Sequence, residues 1–454
     1  MMTKNDNTIK VWRKVISVLL FYLVTLLPLS AQPKLWTLRE CCDYAVAHNI
    51  SIKQQDNRCR QQELQLSTAK NSRLPDLSAS IGENFSFGRG LTAENTYTNT
   101  NTSSTSFSLG TSVPLFTGFQ IPNNIKLNQL NLEAATQDLE KAKNDIRTQV
   151  AQAYVQILYD MEIRDVAQRQ IAIDSQQVHR LQMMLDNGKA SPAELSQQQA
   201  TLAQSRLTAT QADNQLQLDI LALTQLLELP SPEGFSIVRP DLSSAPSLWE
   251  SEAISPELIY QEALTTRPEV AAEQLRLQGT ENSIKIAKAA LYPSLSFSAG
   301  LGTNYYKTSG FAADAFGKQL KNNFSQYLGL NLNIPIFNRF STRNNIRSAR
   351  IDQETQQLQL DNVRKSLYKE IQQVYYNAIA AKQKWESSQQ AMLAAQDAFT
   401  LMQAKYENGK ANLTEFNEAK NAYLKSESDL VQAQYEYLYQ SRLLDFYRGR
   451  TLDF

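Results

Sequence analysis

The chain has 454 residues, with 45 basic and 45 acidic side chains and only 15 Gly and 14 Pro. Balanced charge argues against a nucleic-acid partner. Sparse Gly and Pro, with abundant Gln, Asn, Ala and Leu, argue against a compact α/β enzyme and for long helices with polar faces.

In chain order, Lys10, Arg13 and Lys14 precede an apolar run from Val15 to Leu27, and small residues lead on to Ala31. These three regions predict a secretory signal peptide over residues 1–31. Without it the chain carries 41 basic against 44 acidic groups, a net charge of about −3. No later apolar run is long enough for a membrane-spanning helix. An exported chain of this kind is periplasmic, secreted, or built into an outer-membrane barrel. Cys41, Cys42 and Cys59 match no zinc spacing. In an oxidising compartment Cys41 or Cys42 could pair with Cys59; the alternative is three buried thiols.

From residue 32 the chain repeats itself. Leu74-Pro75-Asp76-Leu77 is answered by Tyr292-Pro293-Ser294-Leu295 at an offset of 218 residues. Val113-Pro114-Leu115-Phe116 is answered by Ile334-Pro335-Ile336-Phe337 at 221, and Gly188 by Gly409 at the same offset. The repeats are 32–229 and 256–448, with a connector at 230–255 and a tail at 449–454.

Each repeat starts with a helix, over about 37–72 and 256–291. Period-2 alternation then predicts strands at about 76–88 and 104–116, and at 293–306 and 324–337. Leu77, Ala79, Ile81, Phe85 and Phe87 share one face, with Ser and Gly opposite. The Asn/Thr/Ser-rich stretch 94–106 reads as an exposed loop. Pro114 and Pro335 are expected at the strand-to-helix turns. Residues 123–187 and 342–408 contain no Pro or Gly; about 65 residues make a helix of roughly 100 Å. Val150, Tyr154, Ile157 and Met161 mark a coiled-coil stripe on the first.

Each long helix stops at an Asn-Gly pair and a second helix runs back. Gly188 and Gly409 suit the left-handed position past a helix C-terminus. Ser191-Pro192-Ala193-Glu194 and Asn412-Leu413-Thr414-Glu415 are capping boxes that restart the chain. Capping explains Glu194 and Glu415. It does not explain Glu418, which forms a like-charge i, i+3 pair with Glu415 and is consistent with solvent exposure or with acids facing a lumen.

Four strands with one apolar face suit an outer-membrane barrel, yet four cannot close one. Open edges are not viable in lipid. Two chains would pool eight strands and three would pool twelve, enough for a pore. The fold expected is mainly α with transmembrane β, a duplicated pair of long antiparallel helical hairpins carrying four strands.

In its Leu-Pro-x-Leu strand entry, its doubled Pro-Leu/Ile-Phe and its doubled Asn-Gly tip, the mature chain resembles the TolC family of outer-membrane efflux proteins. The resemblance implies a homotrimer whose twelve-stranded β-barrel in outer-membrane lipid continues as a periplasmic α-helical barrel. It implies a passive duct that docks a periplasmic adaptor and an inner-membrane pump. It places entrance acids at Glu415 and Glu418, a linking acid at Glu194 and a family tyrosine of the entrance at Tyr406. The family's basic linking residue falls on Ala411, leaving Lys189 or Lys410 as substitutes. The turns Asn187, Gly188, Lys189, Ala190 and Asn408, Gly409, Lys410, Ala411 become adaptor-docking points.

No phosphate loop, metal-ligand spacing or histidine-centred triad is present, so no cofactor, metal or enzymatic activity is expected. Competing readings are a periplasmic adaptor, which would carry one long hairpin flanked by β domains, and a structural coiled-coil protein, which would not need four strands at matching places.

Overall fold

The structure is a computed structural model that describes residues 35–91, 95–240 and 255–452. The expected signal peptide lies outside these residues.

Each repeat contains a broken helix, two strands and a long hairpin. The first comprises α1 (Leu38–His48), α2 (Ile50–Asn71), β2 (Ser78–Leu91), β3 (Tyr97–Thr117), α3 (Gln120–Asp186) and α4 (Pro192–Leu226). The second comprises α5 (Pro256–Thr266), α6 (Pro268–Ala289), β5 (Ser294–Thr308), β6 (Ser325–Asn333), α8 (Ser341–Glu407) and α9 (Leu413–Tyr447). A short α7 (Phe316–Asn322) lies between β5 and β6, and β1 (Leu35–Trp36) pairs in parallel with β4 (Ser236–Ile237) in the connector. The duplication is metrically close: both outgoing helices have 67 residues and both returning helices 35.

Three sequence expectations are corrected. The opening helix of each repeat is two helices, broken at Asn49 (ψ 133°) and Arg267 (ψ 124°). Pro268 excludes the helical region for Arg267. Asn49 breaks the first copy because its side chain caps Ser51 N–H at 2.9 Å and donates to Leu226 O at 3.1 Å. The stretch 94–106 is largely strand, since Tyr97–Ser106 pair with Leu91–Gly82. Thr and Asn here face ladder partners that satisfy their backbone, which overrides their loop preference. Pro114 is not at the turn but inside β3, at a bulge that skips Leu115; lacking an N–H, proline is tolerated where the ladder is interrupted. Pro335 lies past the end of β6.

The turns into the long helices are instead made by two consecutive left-handed residues. Gly118 and Phe119 have φ of 62° and 65°, and Arg339 and Phe340 have φ of 54° and 62°. Phe116–Phe119 and Phe337–Phe340 pack edge-to-face at 5.3 and 5.5 Å, at matching places in the repeats. They form an aromatic band at the foot of the sheet.

The sheet is antiparallel in the order β2-β3-β5-β6, with Ile81, Phe107 and Thr303 on one rung and Ala79, Leu109 and Leu301 on the next. The face made by odd-numbered residues of β2, β3 and β5 and even-numbered residues of β6 is apolar and exposed: Ile81 is 74% and Leu328 79% accessible. β2 and β6 are both edge strands. The core sits beside the sheet, at the waist of the helices. There Cys41 and Ala45 of α1 meet Val150, Tyr154 and Ile157 of α3, Leu223 of α4 and Phe446 of α9. The Tyr154 hydroxyl lies within hydrogen-bond reach of Val238 O (2.7 Å) and Trp36 O (3.1 Å), tying the connector to the waist. Cys41, Cys42 and Cys59 are buried thiols, so the disulfide alternative is not realised. The Cys59 Sγ donates to Ala135 O at 3.1 Å.

Candidate functional site

The hairpin tips are where the sequence places function, and their backbone is built by capping. Gly188 and Gly409 both have φ 69°. Lys189 N–H bonds Met184 O and Lys410 N–H bonds Lys405 O, each at 2.8 Å, closing the wide loop that a left-handed glycine permits. The Asn187 and Asn408 side chains donate to the carbonyls of Met183 (2.6 Å) and Ala404 (2.7 Å). Each amide adds a second bond to a carbonyl that already accepts the backbone N–H of the same Asn, fastening the helix end.

Glu194 and Glu415 each accept the N–H of their own cap residue, Ser191 (2.8 Å) and Asn412 (2.9 Å). Both carboxylates remain exposed, as does Glu418 one turn on. Glu415 and Glu418 thus share one solvent-facing side of α9, while Leu413 and Phe416 are buried on the other. The two tips pack together through Leu181, Leu195 and Leu413. Tyr406 stacks on Phe416 at 4.9 Å and receives the Arg180 guanidinium at 5.1 Å. Burial pushes the Tyr406 hydroxyl above its ordinary range, with Arg180 opposing the rise and Glu194 adding to it. Lys189, Lys410 and Ala411 stand in the tip turns, Lys189 and Lys410 exposed and Ala411 half-buried.

Between the hairpins lies a cluster that sequence reasoning missed. Lys420 of α9 is fully buried and its Nζ donates to Asp174 of α3, also fully buried. Asp174 additionally accepts from Gln198 Nε2 at 3.1 Å and from Ser205 Oγ at 2.6 Å, both on α4. Asn417 Nδ2 donates to Gln198 Oε1 at 3.0 Å. The signal was legible in principle. Ala167, Asp174 and Leu181 recur every seventh residue, and Lys420 falls in the stripe Leu413, Phe416, Lys420, Leu424, all of them buried. Polar residues at coiled-coil seam positions fix register and partner at the expense of stability. Arg180 Nη2 donates to Glu407 O (3.2 Å) nearer the tip, and Arg169 pairs with Glu427 (2.6 Å) further from it. These contacts form a ladder of cationic links from one hairpin to the other.

Residues 42–228 and 259–450 match the family described as outer membrane efflux protein. The chain belongs to that family. It is 22% identical over 409 residues to the outer membrane efflux protein BepC of Brucella suis biovar 1 (strain 1330), covering 89% of this chain and 84% of BepC. Its fold matches a crystal structure of CusC with a TM-score of 0.76 at 18% identity, over 91% of this chain and 92% of that one. It also matches the outer membrane protein VceC of Vibrio cholerae with a TM-score of 0.73 at 17% identity, over 91% and 96% of the two chains. This efflux protein is therefore an outer-membrane exit duct, with its strands in the membrane and its helical barrel in the periplasm.

Within the periplasmic hairpin of this efflux protein, Asp160 on α3 is buried beside Asp219 on α4. Burial, followed by the hydrogen bond and like charge of Asp219, pushes Asp160 up to about 7. The folded state therefore holds a proton that the unfolded chain releases near pH 4. Stability falls as pH rises from the unfolded to the folded value and is level above it. Asp160→Asn, which keeps a donor toward Asp219, is expected to stabilise the protein at pH 8 by about 1–2 kcal/mol and to have no effect near pH 4. Thermal melts of detergent-solubilised protein at the two pH values read the difference.

Proposed function

We propose that three copies of this chain form one channel, that the hairpin tips are its periplasmic entrance, and that the tips dock an adaptor coupled to an inner-membrane pump. The observation that carries this is the four-stranded sheet, whose apolar face is exposed and whose β2 and β6 edges lack neighbours. Lipid does not tolerate free edges, and pairing β2 of each copy with β6 of the next closes the ring. Twelve strands leave a lumen lined by the Ser, Gly and Asn of the opposite, polar face. The hairpins, about 100 Å long, then gather into a tube that ends at Asn187–Ala190 and Asn408–Ala411.

At the entrance, Glu415 and Glu418 make an acidic ring, with six carboxylates from three copies. Capping holds Glu415 by the Asn412 N–H and leaves one oxygen free to face the lumen. Energy comes from the pump, and the duct contributes a path and a gate. The cationic links between the hairpins, centred on Lys420–Asp174, hold that gate closed.

Single-channel recording in a planar bilayer tests the reading. Wild-type protein is expected to pass a small, cation-selective current, and Glu415→Gln/Glu418→Gln to lower the cation-to-anion permeability ratio several-fold. A current unchanged by the double substitution would return both glutamates to capping and solvent. Folded protein that passes no current would refute the entrance and the channel together.

A further inference from the structure

The outward face of the sheet changes character at its extracellular end. β5 runs on to Thr308, whereas β6 begins only at Ser325, opposite Gly302. Helix α7 covers the edge left bare. Gln319 accepts the Tyr306 N–H (3.0 Å) and donates to the Tyr306 carbonyl (3.1 Å), and Asn323 donates to Asn304 O (2.8 Å). These are the ladder positions a strand would have used. The N-terminal end of α7 folds over the apolar face, where Phe316 packs on Tyr305 at 5.1 Å and Phe107 at 6.4 Å.

Two features of this corner are not required by edge protection. Below α7, toward the membrane centre, an open apolar cleft of about 300 Å³ is lined by Ala79, Ile81, Phe107, Leu109, Leu301 and Phe324. Above it stand three exposed cations. Lys318 and Lys321 are one turn apart on α7, and Lys307 is on the strand that α7 packs against. Lys318 pairs with Asp314 at 2.8 Å, and the nearby Glu83 is held by Ser103 and Thr105. The corner of α7, with Lys307 and Asp314, remains net positive. Lys307 is four residues beyond Thr303, which shares a rung with Phe107; at ~3.3 Å per residue Lys307 lies roughly 13 Å outward along β5. That separation matches a chain in the apolar layer and a phosphate at its surface.

We propose that this corner seats a phosphorylated, acylated lipid of the outer leaflet, with one acyl chain in the cleft and the phosphate among Lys307, Lys318 and Lys321. The seat rests on the apolar face being the lipid-facing one. Charge complementarity and continuity of the cleft with that face argue for a lipid over a soluble partner.

The test uses full-length Phe316→Trp protein in phosphatidylcholine vesicles, with the signal of the native tryptophans subtracted. Phosphatidic acid with brominated acyl chains, at one-tenth of the lipid, is compared with brominated phosphatidylcholine at the same fraction. Brominated phosphatidic acid is expected to quench at least about threefold more, and Lys307→Gln/Lys318→Gln/Lys321→Gln in the same background to abolish the preference. Excess inorganic phosphate should leave the preference intact. Equal quenching by the two lipids would reduce the corner to ordinary annular contact, and no quenching by either would place α7 in water. Loss of the preference in free phosphate would make it an anion site with no lipid seat. Phe324→Trp, whose side chain lines the cleft, gives the same readout if Phe316→Trp does not fold.

Discussion

Lys420→Met is expected to destabilise the paired hairpins by about 3–5 kcal/mol, the cost of leaving a buried charge without its partner. Methionine fills the space of the lysine stem, so packing is nearly conserved and the loss isolates the charge. Asp174 would keep its bonds from Gln198 and Ser205. Two neutral donors do not offset the desolvation of a carboxylate with no accessible surface. Adding Asp174→Asn removes the orphaned charge and retains groups able to bond both neighbours. The double variant should recover most of the stability, giving a coupling energy of at least ~2 kcal/mol in a double-mutant cycle. Thermal or denaturant unfolding of the solubilised protein measures it. If the cluster also holds the entrance closed, both variants should raise single-channel conductance, because both sever the link between α3 and α9. Stability restored with conductance still raised would separate the latch from the scaffold. A single variant as stable as wild type would show that the pair bears no such load.

Gly118→Ala is the second large effect. Gly118 has φ 62°, and a Cβ built there would fall onto the Ala289 carbonyl oxygen and within 2.9 Å of the Tyr292 Cβ. The left-handed backbone penalises any L side chain by about 1–2 kcal/mol, and the collision adds about 1–3 kcal/mol because backbone cannot retreat as a side chain can. The turn joins β3 to α3, so yielding there would tilt a 67-residue helix against the sheet. The expected result is a several-fold drop in folded protein in the outer-membrane fraction. Arg339 provides the internal control. It occupies the equivalent turn of the second repeat with φ 54° and already carries a side chain. Arg339→Ala should be close to neutral, and Arg339→Gly should relieve backbone strain. A Gly118→Ala protein that accumulates normally would show that the foot of the sheet is soft.

How much of this was legible before folding depends on the range of the forces involved. The long helices, their stops and their restarts are local: absence of Pro and Gly, an Asn-Gly stop and a capping box act within a few residues. Their predicted ends fell within a few residues of the observed ones. The β segments were harder. Tyr97–Ser106 reads as loop by composition and is strand because β2 lies opposite. Asn49 looks like any helical asparagine until Leu226 O is placed beside it. At the tips, the roles of Glu194 and Glu415 in capping were readable, because the acceptor and donor are three residues apart. The contact of Arg180 with Tyr406 was not, since 226 residues separate them.

By itself the sequence determined the duplication, the hairpins and the alternating faces, since all follow from periodicity and local stop and start chemistry. The tertiary structure alone decided which polar residues matter. Lys420 and Asp174 lie 246 residues apart and meet only when two hairpins align in register. A lysine in an apolar stripe can be an error, a snorkelling side chain or half of an ion pair, and only its neighbours in space distinguish them. The same holds for Gly118, whose side of the turn is closed by a carbonyl from the other repeat, while its counterpart Arg339 has room for a long side chain. Local chemistry sets the shape of each piece; the contacts between pieces depend on distances that the order of residues does not contain.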